Sequence, residues 1–229
     1  MYAKRFNKEE RKTEMTRVER TEQFLKESFQ NSTYFAVHRS EMDYRLEHSY
    51  RVANIAKKIA QEEGMDVEGM VIAGLLHDVA YCEEFEGEDG WLNHGRKSAQ
   101  IARPFLVDMG LPNELVQEIC YGIAIHVDDK ADFPGEKTAF AETVGDADNI
   151  DRFDAYRIYE GLQYAKFSEL SLEEKTEKVN ETLAKLEKYE HLELGTKTAT
   201  EMWKEKIVFQ KEFYQRLRGQ MSNSKFIDK

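Results

Sequence analysis

Four of the six histidines in this chain fall into one ordered set with two aspartates. His48 comes first, and the adjacent pair His77-Asp78 follows at the end of VIAGLLHDVAY. His94 and His126 lie downstream, and Asp148 closes the set inside GDADNID. Imidazole suits Zn, Fe, Ni and Mn, while carboxylate suits Mn and Mg. Side chains of these two types, gathered at one place, bind a divalent metal. The simplest chemistry open to such a site is the activation of water.

Gathering them requires buried helices. His48, Val52, Ile55 and Ile59 are spaced by 4, 3 and 4 residues, which makes one helix face with His48 on its apolar side. Gly64 is suited to end this helix and Asp66 to cap the next. There Val71 and Leu75, with Ile72, Leu76 and Val79, make a helix apolar on most sides. Such a helix is buried, and His77 and Asp78 are expected as neighbours on it. Ala73, Gly74 and Ala80 leave room for another helix to come close. A charged aspartate at the end of a buried apolar helix is costly unless it is paired or bound to a cation. Asp148 lies in a further helical stretch, flanked by Ala147 and Ile150. One buried histidine is ordinarily a hydrogen-bonded core residue, and a lone His-Asp pair reads first as a structural cap. Four such side chains on three helices read instead as a common metal site of His48, His77, Asp78 and Asp148.

The remaining pattern is helical. Residues 81–92 (YCEEFEGEDGWL) read as an acidic loop. A helix is expected from near Asn93 toward Met109, kinked or broken near Arg103 by Pro104. Pro112 suits the first turn of another, which runs to His126. Residues 127–136 read as loop and 139–164 as helix, with Gly145 and Gly161 as weak points. Ser171 and Glu174 have the spacing of a capping box, followed by a stripe of Leu172, Val179, Leu183 and Leu186. Ala199, Trp203, Ile207, Gln210, Tyr214 and Leu217 form a second seam, apolar apart from Gln210. Strand signals are weak. The expectation is an all-α fold in one domain of about eight or more helices.

Composition narrows the class of partner. With 44 acidic against 33 basic residues, the net charge of −11 argues against general nucleic-acid binding. A phosphorylated ligand then needs a local positive centre, and a bound metal is the largest one available. The first 20 residues carry seven Lys or Arg against four Glu and read as a solvated tail. No 18-residue apolar run and no signal-like N-terminus occur, so the expected location is cytoplasmic and no membrane is expected as a partner. Two cysteines, Cys82 and Cys120, fit a reducing compartment.

These residues carry a resemblance to the HD-domain superfamily of metal-dependent phosphohydrolases. It rests on His48 in HSYRVANIAKKIA, His77-Asp78 in LLHDVAY and Asp148 in GDADNID, and extends over roughly residues 40–165. NHGRKSAQIA, ICYGIAIH and the C-terminal TKTATEMW resemble the small stand-alone bacterial HD proteins, some of which are nucleoside triphosphate pyrophosphohydrolases. The resemblance implies an HD helical bundle over residues 39–165, an N-terminal helical, charged extension over 1–38, and C-terminal helices over 166–229 packed on the core. It implies His48, His77, Asp78 and Asp148 as ligands of a divalent metal (Mn, Fe, Ni, Co, Zn or Mg), with one ion or two left open. Several two-metal relatives have a Lys three residues after the HD aspartate, where this chain has Tyr81.

Asp78, His94 and His126 are the expected catalytic residues. Asp78 would bind metal and orient or deprotonate water. His94 and His126 would either hold a second ion or stabilise developing charge, against a plain reading as helix-end histidines. Arg96 and Lys97, beside His94, are the expected substrate-binding residues, with Arg51, Lys130 and Arg152 weaker candidates. Asp151 stays near the face of Asp148 and could orient a ligand histidine. The expected function is hydrolysis of a phosphoester or phosphoanhydride bond in a small phosphorylated substrate, a nucleotide above others. The alternative is a ligand-binding or regulatory HD module that holds metal without turnover. A homodimer is left open.

Overall fold

Gly64 and Asp66 divide the two helices that matter most for the site. In the computed structural model, which describes residues 15–85 and 87–224, Gly64 takes φ 69° and closes the helix Arg39–Glu63. The Asp66 carboxylate then accepts the Gly69 N–H and opens the helix Val67–Leu76. In chain order the helices are α1 (Arg17–Gln30), α2 (Thr33–Val37), α3 (Arg39–Glu63), α4 (Val67–Leu76), α5 (Gly87–Leu92), α6 (His94–Asp108), α7 (Asn113–Ile125), α8 (Ala139–Asp151), α9 (Ala155–Tyr164), α10 (Leu172–Tyr189) and α11 (Lys197–Ser222). Short 3₁₀ turns cover Val79–Cys82 and Phe167–Glu169. No strand occurs among the described residues, and the fold is all-α. No helix among them is long and apolar enough to cross a membrane.

Two apolar clusters hold the helices. The larger joins α1, α3, α4, α6, α7 and α8 through fully buried residues such as Leu25, Val52, Met70, Leu106, Ile119 and Val144. Each side chain of this kind stabilises the fold by about 1.5–3 kcal/mol. Within the segment read as an N-terminal extension, Leu25, Phe29 and Phe35 are buried in this core. Of the tail expected over the first 20 residues, 1–14 lie outside the described residues. The rest opens α1, where Arg17 and Arg20 pair with Glu68 and Asp108.

The second cluster is built on α10 and α11. They run antiparallel, since the Trp203 indole N–H donates to the Tyr189 carbonyl and Arg218 reaches Asn180. Ser171 and Glu174 form the expected capping box. Val179, Leu186, Ala199, Trp203, Ile207 and Tyr214 are buried against Ile59 of α3 and Ile150 of α8, while Leu183 and Leu217 are half-buried. Two polar anchors tie this hairpin to the rest. The Thr198 N–H donates to Glu63 at 2.7 Å, and the Gly195 N–H to Asp146 at 2.9 Å.

Three local expectations need correction. Pro104 does not break α6, because the burial of Leu106 and Met109 beyond it offsets a cost of about 3 kcal/mol for an interior proline. The 139–164 stretch divides at Arg152–Asp154 rather than at either glycine, and the Asp154 carboxylate caps α9 by accepting the Ala155 N–H. The acidic loop 81–92 contains α5.

Candidate metal centre

Close helix crossings bring the histidines together in two pairs. A Cβ on Gly74 would lie 2.7 Å from Ala53 Cα, so a bare glycine is what lets α4 press against α3. This contact sets His48 Nε2 and His77 Nε2 3.3 Å apart. A Cβ on Gly95 would lie 2.8 Å from the Ala124 carbonyl oxygen, so α6 meets α7 equally closely. There His94 Nε2 and His126 Nε2 are 3.1 Å apart.

The His-Asp pair, expected on the helix itself, lies just past its end. α4 ends at Leu76, His77 is its C-cap, and Asp78 has φ −108° and ψ 16°. Ser98 of α6 holds the following 3₁₀ turn by accepting the Ala80 N–H. Consecutive helical positions diverge by about 100°. Here the turn brings His77 Nε2 within 3.6 Å of Asp78 Oδ2.

Asp78 lies between the two pairs. Its Oδ2 is 3.6 Å from both His48 Nε2 and His77 Nε2, and its Oδ1 is 3.1 Å from His94 Nε2 and 3.5 Å from His126 Nε2. Asp148 Oδ1 is 3.1 Å from His48 Nε2. Ligand atoms of His48, His77 and Asp78 fall within one 4.8 Å cluster, and those of Asp78, His94 and His126 within another.

The other ring nitrogen is occupied in all four histidines. His77 Nδ1–H donates to Gly74 O, His94 Nδ1–H to Trp91 O and His126 Nδ1–H to Ile123 O, at 2.8, 2.6 and 2.7 Å. These are carbonyls three residues back, the kind that a helix end leaves without a partner. His48 Nδ1–H donates instead to the Asp151 carboxylate at 2.7 Å, and Asp151 is itself gripped by Arg51. With Nδ1 committed to donation, each ring turns its Nε2 toward Asp78.

Electrostatics make the gathering suited to a cation. Burial pulls His77 down to about 4, which keeps its ring neutral. Burial would raise Asp78 and Asp148, but the neighbouring histidines hold both below the usual carboxylate range, helped by Arg45 at Asp78 and Arg152 at Asp148. Burial lowers His48 too, yet its hydrogen bonds to Asp148 and Asp151 carry it up to about 9. Without metal, a proton on His48 balances these carboxylates. A divalent ion held by His48 would take that proton's place. The donor set, three-dimensional crowding and charge of this chain fit such an ion.

A cleft of about 420 Å³ opens over the cluster. His48, Asp78, His94 and Asp148 form its floor, and Arg45, Arg152 and Arg157 supply its positive charge. Arg45 is 3.1 Å from Asp78 Oδ2 and stacks on Tyr81 with its guanidinium carbon 3.4 Å from the ring centroid. Arg96 and Lys97 do not line this cleft. Arg96 is locked by Asp128 at 2.7 Å, and Lys97 pairs with Glu83 at 3.3 Å, each satisfied by an acid outside the cluster. Arg51 is committed to Asp151, and Lys130 is an exposed partner of Asp128. Sequence reasoning missed Arg45 and Arg157. Arg45 had a signal, since it stands three residues before His48 and so shares its helix face. Arg157 had none, because its place depends on the break before α9.

A family model described as the HD domain matches residues 45–155. Ribonuclease Y of Mycoplasma mycoides is 39% identical over 70 residues, which cover 31% of this chain and 16% of that protein. Ribonuclease Y of Mycoplasma capricolum subsp. capricolum is 40% identical over 63 residues, or 28% of this chain and 12% of that one. The likeness thus spans a small part of either relative. A solved structure described as a predicted HD superfamily hydrolase, from an uncultured Thermotogales bacterium, is 22% identical with a TM-score of 0.60. That match covers 88% of this chain and 91% of the other, and at this identity the likeness is one of fold. Residues 45–155, the segment that matches the HD-domain model, enclose every member of the His/Asp cluster and form an HD domain.

Proposed function

We propose that this chain is a metal-dependent phosphohydrolase that cleaves a phosphoester or phosphoanhydride bond in a small nucleotide. One observation carries the reading: four Nε2 atoms converge on the two oxygens of Asp78, and every Nδ1 is already donating elsewhere. In this reading His48, His77, Asp78 and Asp148 would hold one divalent ion, and His94 and His126, with Asp78, would hold a second. When bound, such ions would supply Lewis-acid chemistry that activates water and polarises a phosphoryl oxygen.

The chain's own residues do the rest. Asp78 joins the two halves of the centre and orients the attacking water. Asp151 fixes the ring of His48 and keeps its Nε2 aimed inward. Arg45, Arg152 and Arg157 neutralise the substrate phosphates, a role that preorganised cations fill without rearrangement during the reaction. The net charge of −11 and the confined cleft favour a small nucleotide over a polynucleotide.

The second reading, a regulatory module that holds metal without turnover, is weakened by the completeness of the ligand set. The test is a nucleotide and phosphoester panel with the protein loaded in turn with Mn, Fe, Ni, Co, Zn or Mg. Release of phosphate or pyrophosphate with at least one metal is the expected result. No release with any of them favours the module.

A further inference from the structure

Beside the metal cleft lies a second one of about 470 Å³, and Arg152 and Arg157 line both. Each volume is within the range of about 300–1,000 Å³ that small-molecule sites occupy. The second cleft differs in its far wall. Phe153 follows α8, while Tyr189, Leu194 and Trp203 come from the α10–α11 hairpin, beyond the segment that matches the HD model.

This wall is aromatic and fixed. The Phe153 and Trp203 rings meet edge-on with centroids 4.6 Å apart, and Phe153 and Tyr189 at 5.6 Å. Trp203 is buried, and its indole N–H is tied to the Tyr189 carbonyl at 2.9 Å. Gly195 beside Leu194 is held to α8 by Asp146. At the mouth Leu192 presents an apolar side chain that is 45% exposed. Between the wall and the metal cleft, Arg152 stands 3.5 Å from Asp148, and Arg157 donates to the Tyr44 hydroxyl on the metal side. A ligand that spans both clefts would meet metal-ligating carboxylates and imidazoles, then two guanidinium groups, then a wall of aromatic rings and leucines. That order matches a phosphate, its charge-neutralising partners and a planar ring.

We propose that the cleft between α8 and the α10–α11 hairpin is the subsite for the nucleobase of the substrate, with Arg152 and Arg157 holding the phosphate end at the metal centre. The inference rests on the phosphohydrolase reading for its phosphate site and goes beyond it by assigning the C-terminal hairpin to substrate choice. Stacking on aromatic side chains tolerates different bases, so the subsite distinguishes base from no base rather than one base from another.

The test is equilibrium binding to the full chain loaded with Mn²⁺. The probes are a phosphonate of adenosine, with CH₂ in place of the 5′ ester oxygen of AMP, and the matching phosphonate of ribose 5-phosphate. Neither has a phosphoester to hydrolyse. The adenosine probe is expected to bind at least about tenfold more tightly, in keeping with the stacking contribution of one base. Leu194→Glu is expected to bring the two within twofold while leaving the ribose probe unchanged. Leu192→Glu, at an exposed position that a charge does not unfold, is expected to reduce the preference in the same direction. Equal binding of the two probes to the wild type overturns the proposal. So does a preference that survives both variants, or one that is lost instead in Trp91→Ala on the other side of the metal cleft. Failure of the phosphohydrolase reading looks different: no phosphoester in the panel is cleaved, yet the base preference stands.

Discussion

Replacing Asp151 by alanine removes the carboxylate that orients His48 while leaving every proposed ligand in place. Asp151 accepts the His48 Nδ1–H at 2.7 Å and two hydrogen bonds from Arg51 at 2.7 and 3.2 Å. The loss of a carboxylate behind a ligand histidine typically weakens metal binding by about 10–100-fold. That is ~1.4–2.8 kcal/mol at ~1.4 kcal/mol per decade. The buried His48 N–H also loses its acceptor, which costs the fold about 1–3 kcal/mol. Without Asp151, His48 no longer stays near 9, so proton competition eases and the affinity loss narrows toward low pH. Asp151→Asn keeps an acceptor oxygen and is expected at the mild end, about tenfold. The assay is chelator competition for Mn²⁺ at several pH values, with hydrolysis followed as a function of metal concentration. Both variants should regain most activity at excess metal. If Asp151→Ala binds metal as tightly as the wild type, or if excess metal restores nothing, Asp151 does not act through His48 and the reasoning fails.

Other expectations follow from the same geometry. Metal loading near pH 7 should release protons, because metal-free His48 holds its proton up to about 9. Affinity should therefore fall as pH drops below that value, and calorimetry in buffers of different ionisation enthalpy reads the released protons; a buffer-independent heat would contradict this. Gly74→Ala drives a methyl to 2.7 Å from Ala53 Cα. It should destabilise the fold by about 1–3 kcal/mol in chemical denaturation and weaken metal binding, since it pries His77 from His48. Trp203→Ala should cost about 3–5 kcal/mol of stability, as a buried aromatic in the second cluster. Arg45→Ala should lower kcat by about 10²–10³, the effect of losing one preorganised electrostatic donor, with metal content retained. A parallel loss of metal would assign Arg45 to the fold of the site instead.

Much of this was legible in the sequence, for physical reasons that differ by residue. His48 on an apolar helix face, Gly64 as a stop, Asp66 as a cap and Ser171 with Glu174 as a capping box are local features. Local spacing is enough to read them. The seam from Ala199 to Tyr214 was equally plain, because one periodic face buries against one neighbour. Asp151 behind His48 was open to inference from its position three residues after Asp148. What escaped depended on tertiary placement. The turn at His77-Asp78 is set by Ser98 from another helix and by the Gly74 carbonyl. Arg96 was a reasonable candidate beside His94 until Asp128, across a loop, captured it. Arg157 reaches the cleft only because α9 turns at Asp154. Pro104 misled because a propensity rule was outweighed by burial of the residues beyond it.

The claim that one carboxylate joins two metal positions is tested most directly by counting ions. Equilibrium dialysis against Mn²⁺, followed by elemental analysis, should find two per chain in the wild type, one in His126→Ala and none held tightly in Asp78→Ala. Spectroscopy should show each variant still helical. A wild type that holds one ion or none, or an Asp78→Ala variant that keeps the wild-type content, would contradict the account.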